Sequence, residues 1–559
     1  MSLERHPSSR AKSVHWRAAF LVVHGALFAL LVSACSDEST AGRTTTQTAT
    51  ATVTSIPSDT PTAAATATPR DTDTPLPTAT PTSTPTATVR ERPAGPAADV
   101  SEELTGGNGI FMGEADSFIP PDSYRFVPPD GYVDHEYVAA GTATAYGVPG
   151  GTAALTNDGH WSFVPSTTAA YRTRVIVRRP VDAADASGTV IVEWLNVSGG
   201  LDANPDYVSL QEEIVRQHHV WVGVSAQIIG IEGGPVIVAA PGGEAFAGKG
   251  LKGIDPARYG SLAHPGDGYS FDIFTQVARA VLQGGPLLGG AEPRYVLAVG
   301  ESQSAIALTT YYDGVQPLTL MFDGFLIHSR GAVSLPLVGP GEYADIAGAL
   351  AGRVFPVFRD DLEAPVMDIQ TETDVAGILN SGVVRQPDTD RFRLWEVAGT
   401  AHADAHLVGF VANMLDCGAP INNGPMHLVA KAAFRHLDTW VRTSELPPVA
   451  PRLELTSGAM PEVQRDSDGI AIGGIRTPPV DVPVDVLSAV PGPNPQIICL
   501  LLGSTRPLAD ARLAELYPNR DAYVQEYDAA TDQVIESGFI LEPDRAALLA
   551  FAQPSRIEP

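Results

Sequence analysis

Between residues 171 and 399 the chain alternates compact apolar runs with amphipathic ones. YRTRVIVRRP (171–180), TVIVEWLNV (189–197), VWVGVSAQ (220–227), YVLAVG (295–300), FDGFLIH (322–328), PVMDIQT (365–371) and RFRLWEVAG (391–399) are rich in β-branched and aromatic residues, and each is predicted to be a strand. The intervening patterns are helical. SFDIFTQVARAVLQ (270–283) sets Phe271, Phe274, Val277 and Val281 on one face. Strands and helices that alternate in this way predict an α/β fold, a mostly parallel sheet with helices on both faces.

One junction carries chemistry. YVLAVGESQSA (295–305) runs a strand directly into a Gly-x-Ser-x-Ser turn, and QSAIALTTYYD (303–313) continues as a helix. A serine hydroxyl is a poor nucleophile until it is exposed, aimed and given a base, and a strained strand-to-helix elbow does the first two. Gly300 supplies one small neighbour for Ser302. Ser304 stands where the usual elbow has a second glycine, and keeps that side chain small. The N–H of Gln303 falls at the helix N-terminus, where donors favour an oxyanion. The competing reading is a serine-rich turn.

The partners are sought downstream in the order serine, acid, histidine. APVMDIQTETDV (364–375) reads as a buried strand ending in polar residues; Asp374 falls just past its apolar run and is the preferred acid, and Glu372, two residues earlier, is the alternative. His402 follows a strand on the glycine-containing loop AGTAHAD and is the candidate base. His406 sits in a helical pattern and is expected to pack or face solvent. The strand TVIVEW leads into Asn196, Val197, Ser198, Gly199 and Gly200, whose glycines allow close backbone approach. The N–H of Val197 or Ser198 is the candidate second oxyanion donor.

These strings resemble the α/β-hydrolase domain family known mainly from bacterial sequences. VEWLNVSGG from residue 192, VGVSAQ from 222, DPARYGSLAHPGDGYSFDIFTQ from 255, GESQSA from 300, QTETDV from 370, WEVAGTAHAD from 395, PINNGPMHLVAKAAFRHLDTWV from 420 and GGIRTPPVDVPV from 473 carry the resemblance, over roughly residues 125–556. It implies an α/β-hydrolase fold with Ser302, His402 and an acid at Asp374 or Glu372. It says little about substrate, because one fold hosts many chemistries.

The flanks alter the picture of where such an enzyme works. Residues 1–34 have a basic start, a short apolar core and small residues before Cys35, a pattern that resembles a bacterial lipoprotein signal with Cys35 as the lipidated first residue. Residues 35–97 are dominated by Thr, Ala, Pro and Ser, cannot bury a core, and are expected to form an extended tether. The catalytic domain is then expected over residues 98–559. Two additions are expected within it: a Gly-rich, lid-like insertion at 228–267 and a proline-rich, β-rich accessory region at 446–516. His264 and Asp267 in the first read as loop structure rather than as a metal or acid–base pair.

With Cys35 lipidated, Cys417 and Cys499 remain as an even pair in an exported protein, and a disulfide between them is expected. No Cys/His spacing suits structural zinc and no phosphate-cradling loop is present, so neither metal nor cofactor is expected. The net charge of −28 disfavours nucleic acid as a partner. The sequence therefore predicts an exported, lipid-anchored serine hydrolase that cleaves carboxylic esters of small molecules or polymers. The alternatives are a peptidase or amidase with the same parts, and a non-catalytic glycan- or polymer-binding lipoprotein.

Overall fold

The structure, a computed structural model, describes residues 92–107, 128–151, 155–239, 243, 245–352 and 354–559, without the side chain of Phe410. Cys35, the leader and the predicted tether up to residue 91 lie outside the described residues. Nine strands form one sheet: β1 (Asp99–Glu103), β2 (Tyr132–Gly147), β3 (Val164–Pro180), β4 (Thr189–Trp194), β5 (Val220–Val224), β6 (Tyr295–Glu301), β7 (Gly324–His328), β8 (Val366–Thr371) and β9 (Phe392–Val397). Their order is β1-β2-β3-β5-β4-β6-β7-β8-β9. β4 through β9 pair in parallel, while β1, β2, β3 and β5 pair antiparallel at one side. The sheet is thus mixed but mostly parallel.

Strand alternation sorts the core into two layers. Val190, Val192, Val296, Ala298, Phe325 and Ile327 face one side, where they meet Phe271, Phe274, Val277 and Val281 of helix α2 (Ser270–Gln283) and Ala305 and Leu308 of α3 (Gln303–Thr310). Ile191, Leu297, Val299, Leu326, Met367 and Ile369 face the other, against Leu210 and Ile214 of α1 (Pro205–Arg216) and Val429, Phe434 and Leu437 of α4 (Met426–Thr443). Odd and even positions go to opposite layers because successive strand side chains point to opposite faces. Each such buried aliphatic or phenyl side chain contributes about 1.5–3 kcal/mol of transfer free energy.

β1 and β2 are not singled out by the hydrophobic pattern. DVSEE is polar and mostly exposed, and β2 is dominated by small and polar residues. Both are held by pairing with a neighbour, which sequence periodicity does not report.

The chain leaves β4 toward β5 on one side and returns to β6 on the other. The carboxyl ends of β4 and β6 therefore open onto the switch point of the sheet, where ligands bind in open α/β folds. The described part of residues 228–267 lies against the loop after β4: Ser198 O accepts the N–H groups of Ile237 (2.9 Å) and Val238 (3.0 Å), and Gly200 O accepts that of Gly248 (2.9 Å). Gly200 (φ 76°) has no room for a side chain, since a Cβ would stand 2.6 Å from Gly248 N. Residues 446–516 carry isolated bridges, a two-stranded antiparallel sheet of β10 (Asp485–Ser488) and β11 (Ser504–Pro507), and the short helices Pro478–Asp481, Ile497–Leu502 and Asp510–Leu516. A disulfide joins Cys417 to Cys499 with Cα atoms 5.4 Å apart. Among the described residues no helix is long and apolar enough to cross a membrane.

Candidate active site

Ser302 sits between the last residue of β6 and the first of α3, with φ 62° and ψ −121°. This backbone is strained for a residue with a side chain and persists only where the surroundings impose it. Its N–H donates to His328 O on the neighbouring strand (2.9 Å), and its carbonyl accepts the N–H of Ile306 (3.1 Å). Gly300 is required for the turn to close, because a Cβ there would lie 2.9 Å from Leu308 Cδ1 and 3.0 Å from Ser304.

The loops after β8 and β9 bring their side chains to this serine. His402 Nε2 lies 2.8 Å from Ser302 Oγ, and His402 Nδ1 lies 2.6 Å from Asp374 Oδ1. Asp374 is fully buried, which raises its pKa, but His402 and the Thr371 hydrogen bonds outweigh burial and hold the carboxyl below its ordinary range. An ionised carboxylate only accepts, so His402 Nδ1 carries the proton and Nε2 is left free to accept the Ser302 hydroxyl proton. The other carboxylate oxygen, Oδ2, accepts the Thr371 N–H (2.6 Å) and hydroxyl (2.7 Å). These bonds cap the one-turn helix Glu372–Val375 and fix the carboxylate plane.

Glu372 is not brought to His402. Its Oε1 accepts the N–H of Gly399 (2.6 Å), and its Oε2 accepts from Arg465 (2.6 Å) and from Ala489 N–H (3.2 Å). It ties the β9 loop to the accessory region. The alternative acid is therefore a structural group here, turned away from the triad because alternate positions of a helical turn point apart. Asn422 holds the same loop from the other side, donating to Gly399 O (3.1 Å) and Ser488 O (3.2 Å). His406 is exposed, in the short helix Ala405–Val408, and its ring stacks on His427 with centroids 3.7 Å apart.

The loop after β4 reaches the elbow, but not with free donors. The N–H of Val197 donates to Gln303 Oε1 (3.0 Å), and that of Ser198 to Asn196 Oδ1 (2.8 Å). Neither amide is open to a substrate as the structure stands, which corrects the expectation for both. Gln303 reaches across because its carboxamide is itself held: it donates to Gln227, whose Oε1 also accepts the Trp194 indole (3.0 Å) and whose amide donates to Asp267 (3.1 Å). The backbone N–H of Gln303 remains at the first position of α3, where helix donors lack intrahelical partners. The sequence assigns no role to Asn196, Gln227 or Asn422. All three lie inside strings that carry the family resemblance, VEWLNVSGG, VGVSAQ and PINNGPMHLVAKAAFRHLDTWV, but their partners are set by the tertiary structure. Asp267 serves as a clamp, accepting from Ile228 N–H (2.7 Å) and Ala344 N–H (2.8 Å) as well. His264 bonds Ala226 O (2.8 Å).

Behind the serine lies a second ionisable group. His328 Nδ1 is 3.0 Å from Asp206 Oδ1 and 3.5 Å from Glu301 Oε2, all three buried. Among the described residues this is the set whose donor atoms converge closely enough for a metal ion. Within it His328 Nδ1 and Asp206 Oδ1 are in hydrogen-bonded ion-pair contact.

Among curated proteins none matches the chain. Three solved structures are similar to parts of the chain. A fungal esterase from Rhizomucor miehei is 12% identical, with 60% of this chain and 99% of that one covered and a TM-score of 0.31. Carboxyl esterase 2 from Tuber melanosporum is 12% identical over 56% of this chain and 89% of that one, TM-score 0.28. An alpha-beta serine hydrolase homologue from Coxiella burnetii is 13% identical over 44% and 93%, TM-score 0.24. These likenesses are too weak to speak to activity. The alpha/beta hydrolase domain family, by contrast, matches residues 94–550, most of the chain, and the protein belongs to that family of hydrolases.

Proposed function

We propose that the protein is a serine hydrolase that cleaves carboxylic esters through an acyl-enzyme. The observation that supports this reading is the unbroken line of contacts from Asp374 through His402 to Ser302, with the serine on a strained elbow. His402 Nε2 takes the hydroxyl proton as Ser302 Oγ bonds to the acyl carbon. Asp374 keeps the imidazole in the correct tautomer and stabilises the imidazolium. The proton then passes to the leaving alkoxide, the C–O bond breaks, and water repeats the sequence to release the acid and restore the serine. Gln303 N–H holds the tetrahedral oxyanion.

An amidase or peptidase would use the same parts. Turnover of p-nitrophenyl acetate compared with peptide anilides separates the two, and Ser302→Ala is expected to abolish either. Fluorophosphonate labelling that requires Ser302 excludes the non-catalytic alternative; an unlabelled, folded protein would overturn the serine mechanism. We further propose that the enzyme is exported and anchored through lipid on Cys35, with the Thr/Pro-rich stretch as a tether of on the order of 100–180 Å in polyproline geometry. Metabolic labelling with a clickable fatty acid is expected for wild type and lost in Cys35→Ser. Equal labelling of the two would remove the anchor from this reading.

A further inference from the structure

The buried cluster behind the elbow is not used by the proposed mechanism, yet it touches the mechanism's parts at three places. Glu301 immediately precedes the nucleophile, and its carbonyl accepts Asn196 Nδ2 (3.0 Å), which fastens the elbow to the loop after β4. Its carboxylate is 3% exposed at the residue level, and Oε2 faces the His328 imidazole without accepting a hydrogen bond among the described residues. His328 supplies the carbonyl that accepts Ser302 N–H. Glu301, His328, His402 and Asp404 line one small pocket of about 10 Å³, which the cluster and the candidate base therefore share.

We propose that Glu301, beside His328 and Asp206 behind the triad, is a positioning residue whose negative charge stabilises the imidazolium formed on His402 as Ser302 attacks. The inference rests on the serine-hydrolase reading above. No bond to Glu301 forms or breaks; it acts through space on a charge that exists only during the reaction, which is where an interaction accelerates chemistry.

The charges around the carboxylate are all nameable. Glu301 on β6 faces His328 on β7, Asp206 on α1, His402 in the loop after β9 and Asp374 in the loop after β8. Glu193 on β4 acts through Asp206, and Asp404 acts on the side of His328. His406 and His427 line the same pocket. Burial pushes the Glu301 carboxyl up, His328 and His402 pull it down, Asp206 and Asp374 raise it, and it stands at about 7. His328 would be lowered by burial, but Glu301 and Asp206 more than offset this and hold it at about 9. Near neutral pH the imidazolium of His328 therefore stays charged while Glu301 gains or loses its proton, and the cluster changes by one full charge.

A unit charge about 10 Å away in an effective dielectric of about 20 changes a rate by roughly tenfold. The test is the pH dependence of kcat on a soluble ester, and separately of the rate of Ser302 labelling by a fluorophosphonate, for wild type, Glu301→Gln and Asp206→Asn. Thermal unfolding of each variant checks its fold. Wild type is expected to show a partial step of about tenfold near pH 7 in addition to the titration of its base. Glu301→Gln is expected to lose the step and to run about tenfold low in kcat above it, with KM unchanged. Asp206→Asn is expected to keep the step at a lower pH, because the Asp206 charge is one of those that raise Glu301. A Glu301→Gln profile that overlays wild type, or one uniformly low with the step retained, overturns the proposal. If Glu301→Gln does not fold, an Asp206→Asn step left at the wild-type pH overturns it equally. A wild-type protein that neither hydrolyses nor labels instead brings down the serine-hydrolase reading itself.

Discussion

Replacing Asp374 by Asn changes one atom, and the structure dictates which way the new amide must turn. Asp374 Oδ2 accepts a backbone N–H from Thr371, a donor that cannot reverse its role, together with the Thr371 hydroxyl. The Asn oxygen must take that position, so its NH₂ faces His402 Nδ1, now 2.6 Å from a carboxylate oxygen. An NH₂ group cannot accept, so Nδ1 becomes the acceptor and the proton moves to Nε2, which points at Ser302 Oγ. The base is then blocked by its own proton, and the imidazolium also loses its counter-charge. In serine triads this combination costs about 10⁴ in kcat, or about 5.5 kcal/mol in the barrier. Both Thr371 bonds survive, so the fold is expected to lose only a few degrees in Tm. The assays are kcat on p-nitrophenyl acetate, the fluorophosphonate labelling rate, and thermal unfolding. A folded Asp374→Asn protein with kcat within about tenfold of wild type would refute the tautomer argument, because a rotated amide could not produce so small a loss.

Three further outcomes follow from neighbouring contacts. Glu372→Gln breaks an ion pair between a fully buried carboxylate and Arg465, whose side chain is 19% exposed, and should cost about 1–3 kcal/mol of stability while leaving kcat within a few-fold; a loss of kcat larger than that of Asp374→Asn would reverse the assigned roles. Because the His328 pKa is raised from 6.5 to about 9, its ion pairing stabilises the fold fully below the lower value and is lost as pH rises through the upper one. His328→Gln should therefore flatten the decline of Tm over that alkaline window, and an unchanged decline would show that another group causes it. Paired Cys417→Ser and Cys499→Ser changes remove a closure spanning 82 residues, worth up to about 4.5 kcal/mol by chain entropy, and are expected to lower the denaturation midpoint of the oxidised protein to that of the reduced one.

The positions of Ser302 and His402, which the structure brings to 2.8 Å, are legible in local pattern. The elbow needs a strand, a glycine and a helix in immediate succession, and YVLAVGESQSA writes all three contiguously. The acid was readable only as a pair of candidates. Asp374 and Glu372 lie on the same turn, and which one meets His402 depends on the capping bonds from Thr371 and on Arg465, a residue 93 positions away from Glu372. The oxyanion loop was misread at Val197 and Ser198 for a related reason: composition identified the segment, but side chains of Gln303 and Asn196 claim its amides. The long β2 strand and the cluster of Asp206, Glu301 and His328 left no periodic trace, since each is defined by partners on other elements.

What the sequence determined by itself is what adjacent residues can settle. Period-two apolar strands, period-3.6 helices and one strained turn specify a layered α/β sheet with a serine projecting at its edge, because those constraints are local in the chain. Tertiary structure decided which carboxylate is bonded to the histidine, which amides are occupied and how ionisable groups share protons behind the serine. Hydrogen bonds and charges act over a few ångströms in space, between residues that the chain separates by tens to hundreds of positions.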